Sequence, residues 1–114
     1  MAYNLIYITA ANVEEAKELG RALVEARLVA CANVIPNMIP IFWWEGRVQE
    51  DSEAILLAKT RQALTQRVID FVQKEHSYDC PAVLALPIQA GHTPFLQWID
   101  DETEGADAPD TDME

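Results

Sequence analysis

Hydrophobic and polar positions along the chain change period several times. Tyr3 to Ala10, YNLIYITA, is apolar and β-branched enough for a buried strand. Asn12 then offers an N-cap with Glu15 three residues later, and Val13, Ala16, Leu19, Leu23 and Ala26 return at helical spacing, so a helix should end near Arg27. A long second strand is expected from about Val29 to Trp44, interrupted by Pro36 and Pro40, which cannot donate to a ladder and point to an edge or a bulge. Glu45-Gly46 supplies a turn, and a third strand runs from Arg47 to Lys59. The second helix is expected over Gln62 to His76, with Leu64, Val68, Phe71 and Val72 as its apolar stripe and Arg61, Gln66, Asp70 and Lys74 facing water. Pro81 to Pro87 reads as a fourth strand. Thr93-Pro94 starts a last short helix, packed down by Phe95, Leu96, Trp98 and Ile99.

The order β-α-β-β-α-β plus a terminal helix predicts an α+β fold, a ferredoxin-like plait with both helices on one face of an antiparallel sheet. The second face then needs a cover. Adjacent Trp43 and Trp44 must point to opposite faces of their strand, so one indole cannot lie under the helices. Strands two and three also exceed the usual length, so their hairpin should project beyond the helical cover. An overhanging aromatic ribbon implies a partner surface, and the simplest partner is another copy of the chain.

Composition narrows the class. A chain of 114 residues, half of them apolar, is one domain with a real core. The net charge of −11 is concentrated at one end: residues 100–114 hold eight of the nineteen acids and no base, leaving eleven acids against eight bases in residues 1–99. The folded part is expected to span 1–102, followed by an acidic, disordered tail at 103–114. No basic face is visible, which excludes a nucleic-acid partner. No apolar run is long enough for a membrane span and no secretory signal is seen, so a cytoplasmic protein with no membrane partner is expected. Cys31 and Cys80 are too few for a disulfide framework.

Candidate chemistry centres on HSYDCP, His76 to Pro81, where an imidazole and a thiol lie four residues apart. Both bind soft and borderline metals, but the pair alone leaves a metal two ligands short, and a histidine closing a helix also interacts well with the helix dipole. Cys31, between Ala30 and Ala32, reads as a ligand or as a small buried residue. In the plait, Cys31 falls at the bottom of the sheet and His76 at the top, roughly 20 Å apart, so they could cooperate only between subunits. Thr9, Trp44, Glu45 and the segment from His76 through Tyr78 to Cys80 should gather at the top, in a cleft suited to a small polar ligand or a metal. Lys59 could hold an anionic ligand or merely snorkel. Asp51 and Glu53 are expected to be solvated, and His92 to be a surface residue. No phosphate loop and no nucleophile motif is present, so no enzymatic role is expected.

Several separated strings carry a resemblance: RLVACANVIP from Arg27 to Pro36, WWEGRVQEDSE from Trp43 to Glu53, KTR from Lys59 to Arg61, HSY from His76 to Tyr78, LALP from Leu84 to Pro87 and FLQW from Phe95 to Trp98. In this order and spacing the chain resembles the CutA family of divalent-cation tolerance proteins, from about Tyr3 to Trp98. The resemblance implies a ferredoxin-like fold assembled as a homotrimer, similar in architecture to the PII signalling proteins; Trp43 and Trp44, from their strand geometry, and Trp98, as core or interface, are the residues expected at that trimer interface. It implies a role in the response to divalent metals, copper among them, with metal ions as partners and none required for folding. On the chemistry of their own side chains, the candidate metal ligands are His76, Cys31 and Cys80. Ser77 and Asp79 depart from the family's usual His-Pro-Tyr-Glu, and Cys80 is not a usual family position.

Overall fold

The computed structural model describes residues 2–107. Its central sheet has four strands, β1 (Tyr3–Ala10), β2 (Cys31–Met38), β5 (Glu53–Arg61) and β6 (Val83–Ile88), in the order β2-β5-β1-β6 with every neighbour antiparallel. A separate two-stranded ribbon pairs β3 (Ile41–Trp44) with β4 (Arg47–Glu50). Helices α1 (Val13–Glu25), α2 (Thr65–Glu75) and α3 (Thr93–Thr103) complete a mixed α+β fold.

Period-two alternation decides what each face carries. Ile6, Ile8 and Ala10 of β1 and Ala54, Leu56 and Ala58 of β5 turn one way and are fully buried beneath Ala16, Leu19 and Leu23 of α1 and Val68 and Val72 of α2. Leu5, Tyr7 and Thr9, with Ile55, Leu57 and Lys59, turn the other way and are only half-buried. α3 covers one end of that second face, where Tyr3, Ala30 and Ile99 form a smaller cluster with Ile88 and Leu96. The rest of the face is open, with Ile35, Leu84 and Leu86 exposed.

The long hairpin expected from the sequence is broken. The run from Val29 to Trp44 divides at Ile39-Pro40 into β2 and β3, and the run from Arg47 to Lys59 divides at Asp51-Ser52 into β4 and β5. The break has local causes. Pro36 and Pro40 cannot donate, the β2–β5 register shifts between Ile35 and Met38, and Asn37 sits in the left-handed region at φ 62°. The ribbon leaves the sheet as its own unit, closed by Glu45 (φ 52°) and Gly46 (φ 76°), the pair of positive φ angles that a two-residue hairpin loop requires.

Three boundaries also differ from expectation. Residues 62–64 form a 3-10 turn before α2, and His76 is its C-cap with extended backbone (φ −77°, ψ 148°) rather than part of its last turn. Arg61, expected to face water, is buried: its Nε donates to Thr103 Oγ1 at 2.8 Å and its Nη2 to the Thr103 carbonyl at 3.0 Å. The acidic segment is consequently ordered further than its composition suggests, with α3 reaching Thr103, a 3-10 turn at Glu104–Asp107, and Thr103 and Ala106 buried. The remainder of the expected tail, 108–114, lies outside the described residues.

Candidate functional site

The sheet presents two polar clusters, one at each end. At the end where β1 finishes, Asn12 caps α1 by accepting the Glu15 N–H at 2.8 Å, and Glu15 reaches back to accept the Ala11 N–H at 2.9 Å. The second oxygen of the same carboxylate accepts the Ser77 N–H at 2.8 Å. Burial alone would push the Glu15 pKa up, but the hydrogen bonds from Ala11 and Ser77 outweigh it and hold the group below the ordinary carboxylate range.

His76 is fixed from both sides. Nε2 lies 2.7 Å from the Thr9 carbonyl, which can only accept, so Nε2 carries the proton. Nδ1 accepts the Tyr78 backbone N–H at 3.0 Å. The Tyr78 ring packs against the imidazole with centroids 4.8 Å apart, and its hydroxyl donates to Glu53 Oε2 at 2.7 Å. Burial first, and then the Glu53 carboxylate, push the Tyr78 phenol well above its usual pKa. His76, Tyr78 and the Thr9 backbone therefore come together as the sequence suggests, and Glu53, expected to be solvated, joins them. Cys80 is exposed, and among the described residues no hydrogen bond or ion pair joins it to this cluster.

At the other end, Cys31 of β2 stands directly opposite Lys59 of β5. Lys59 Nζ donates to Asn33 Oδ1 at 2.6 Å and to Cys31 Sγ at 3.6 Å, and lies 5.9 Å from the centre of the Phe95 ring. Phe95 stacks on Trp98 with centroids 5.5 Å apart. Asn33 was missed from sequence although its signal was present: it follows Cys31 by two residues on one strand and so shares its face. Cys31 and His76 belong to opposite ends, since Cys31 pairs at Lys59 while His76 bonds to Thr9, whose partner is Ile55; four residues of β5, about 13 Å at 3.3 Å each, separate those levels. Trp44 and Glu45 lie on the ribbon, exposed, with Trp43.

A metal does not fit these donors within one chain. Both His76 nitrogens are already engaged, an ammonium sits against Cys31, and no group of three or more His, Cys, Asp or Glu side chains among the described residues could hold an ion. No described helix is long and apolar enough to cross a membrane.

The CutA1 divalent ion tolerance protein model matches residues 4–102. Protein CutA of Homo sapiens is 43% identical over 98 residues, covering 86% of this chain and 55% of that protein, so the chain spans about half the length of this relative. The divalent-cation tolerance protein CutA of Archaeoglobus fulgidus is 41% identical over 102 residues, covering 90% of this chain and 99% of that one. The crystal structure of CutA1 from Oryza sativa superposes with a TM-score of 0.88 at 37% identity, covering 90% of this chain and 94% of the other. The structure described as the periplasmic divalent cation tolerance protein CutA from Archaeoglobus fulgidus gives 0.86 at 40% identity, covering 89% and 98%. A family match over nearly the whole described fold, joined by this agreement in three dimensions, means that the chain belongs to the CutA1 divalent ion tolerance protein family.

Proposed function

We propose that the chain works as a cytoplasmic homotrimer of ferredoxin-like plaits in the response to divalent metals, with clefts between subunits taking copper, another divalent ion or a small polar ligand. The observation that carries this reading is the uncovered apolar surface of the single chain. Ile35, Leu84 and Leu86 on the open sheet face, and Ile41, Trp43, Trp44 and Val48 on the ribbon, are all exposed, at 74% for Trp43 and 61% for Trp44. So much aromatic and aliphatic surface on one small domain is the mark of an interface. Association of copies would bring donors of one chain beside those of the next, which an ion needs, since a single chain offers no complete ligand set. Lys59 and Tyr78 at the two ends of the sheet, with Thr9, Trp44 and Glu45, would then line the clefts.

A second reading, a PII-like regulatory or structural trimer that binds a protein partner without a physiological metal, is favoured by the full engagement of the His76 ring. In neither reading is the chain an enzyme. Native mass spectrometry with Cu(II) titration separates them, using the wild-type chain and the His76→Ala, Cys31→Ala and Cys80→Ala variants. The first reading expects a trimer whose copper stoichiometry falls in at least one variant. Unchanged stoichiometry and affinity in all variants would favour the second, and a monomer at micromolar concentration would overturn both.

A further inference from the structure

The Cys31–Lys59 pair sets a thiol and an amine side by side on one face of the sheet. The two residues face each other across the β2–β5 ladder, where the backbone fixes both side chains on the same face at cross-strand contact distance. Asn33 Oδ1 holds the ammonium at 2.6 Å and leaves Nζ pointed at Sγ, 3.6 Å away. Cys31 is a free, half-buried thiol. The other free cysteine, Cys80, precedes β6 at the opposite end of the sheet, beyond Val83, which is level with Ile8 and Leu56. An oxidised Cys31 would therefore have the Lys59 amine within 3.6 Å, while the thiol of Cys80 sits beyond the other end of the sheet.

We propose that Cys31 and Lys59 form a reversible covalent cross-link, a sulfenamide S–N bond, when the protein meets hydrogen peroxide. The thiolate attacks one peroxide oxygen and the O–O bond breaks, giving the sulfenic acid and hydroxide. Lys59, the adjacent ammonium, passes a proton to that hydroxide and becomes a neutral amine. Its nitrogen lone pair then attacks the sulfur and expels the sulfenic oxygen as a second hydroxide, which takes the extra proton from nitrogen. Thiol, amine and one peroxide yield the S–N bond and two waters, with sulfur oxidised by two electrons and peroxide reduced by two. An added thiol reverses the bond by attacking sulfur and releasing the amine. The cross-link would neutralise the Lys59 charge, release Asn33 and tie β2 covalently to β5, making this face responsive to oxidants. It requires neither a metal nor a particular oligomeric state.

The test treats the full-length Cys80→Ser chain with hydrogen peroxide, so that the exposed thiol cannot react, and follows intact mass and proteolytic peptides. The expected product lacks two hydrogens, joins the Cys31 and Lys59 peptides, and reverts with dithiothreitol. Adding Cys31→Ser or Lys59→Arg abolishes it, and in the Lys59→Arg chain a sulfenic-acid trap such as dimedone labels Cys31 instead. Dimedone labelling of Cys31 equal to that of Lys59→Arg, with no joined peptide, would overturn the proposal. A joined peptide that retains one oxygen would overturn the direct S–N bond. If Lys59→Arg does not fold, the presence or absence of the joined peptide in the Cys80→Ser chain decides alone.

Discussion

Glu15 Oε2 accepts the Ser77 backbone N–H at 2.8 Å, so the carboxylate that closes the cap of α1 also anchors the segment leaving α2. One residue thus joins two helix ends that are 62 positions apart in sequence. The joint fixes Ser77 and, through it, the adjacent Tyr78, whose hydroxyl reaches Glu53 on the sheet. It also couples helix capping to the cluster around His76.

Glu15→Gln should destabilise the fold by about 1–2 kcal/mol at neutral pH, because a neutral amide loses one of the two charge-assisted acceptors. The folded-state pKa of Glu15 is depressed, so its stabilisation is present above the unfolded-state value, about 4.3, and is lost as pH falls through the lower folded value. Denaturant unfolding of wild type and variant across this range should therefore converge in acid. A gap that stays constant down to the acid limit would contradict the ionised carboxylate as its source.

His76→Ala should cost more than a surface substitution, on the order of 2 kcal/mol, since it takes their imidazole partner from the part-buried Tyr78 N–H and Thr9 carbonyl. Tyr78→Phe, which keeps the ring against His76 and removes only the hydroxyl donated to Glu53, should cost about 1 kcal/mol. Thermal melts of the two variants give the comparison. Equal losses would mean that the imidazole is held by packing alone.

How far these clusters could be read from sequence depends on the distance over which each signal acts. The capping box of Asn12 and Glu15 is written within three residues, and the alternation in YNLIYITA within eight, so α1 and β1 were legible. The breaks in the hairpin were half legible: Pro36 and Pro40 announced irregularity, but whether the ribbon continues the sheet or leaves it depends on the left-handed turn at Asn37. Arg61 was misread because helical phase places it on the wet side, whereas it ends β5 and its guanidinium is met by Thr103, forty-two residues away. That encounter, with Arg67 Nη1 donating to the Ala106 carbonyl at 2.7 Å, holds the acidic segment as far as Asp107, a specific pairing that composition does not report. Lys59 beside Cys31 follows only from the β2–β5 register, which no local pattern encodes.

Thr103→Val tests that long-range contact. Valine keeps the shape but removes the oxygen that accepts from Arg61 Nε at 2.8 Å, within a buried site. A loss of about 1.5–3 kcal/mol is expected, the range for removing a hydrogen bond to a charged group. Hydrogen exchange should show earlier opening in α3 than in α1. Unchanged protection throughout α3 would mean that Ile99 and its apolar neighbours secure the helix without the arginine.

Trp43 and Trp44 bear on the assembly. They are consecutive residues of a ribbon with strands of only four residues each, project to opposite sides, and are both exposed in the single chain. A two-stranded ribbon is at best marginally stable alone, and this one has its own sheet rather than a place in the larger one. In the homotrimer proposed above, neighbouring chains would supply the missing cover. Trp43→Ser/Trp44→Ser should therefore leave the monomer's core intact, because neither indole contributes to it, while shifting native mass from trimer toward monomer. Each buried aromatic anchor lost from an interface costs about 2 kcal/mol or more, so the trimer should dissociate at markedly higher protein concentration than wild type. Analytical ultracentrifugation over a dilution series provides the measurement, and far-UV circular dichroism checks that the fold persists. A double variant that remains trimeric at the same dilution as wild type would remove the ribbon from the interface and leave the open sheet face as the sole surface joining the subunits.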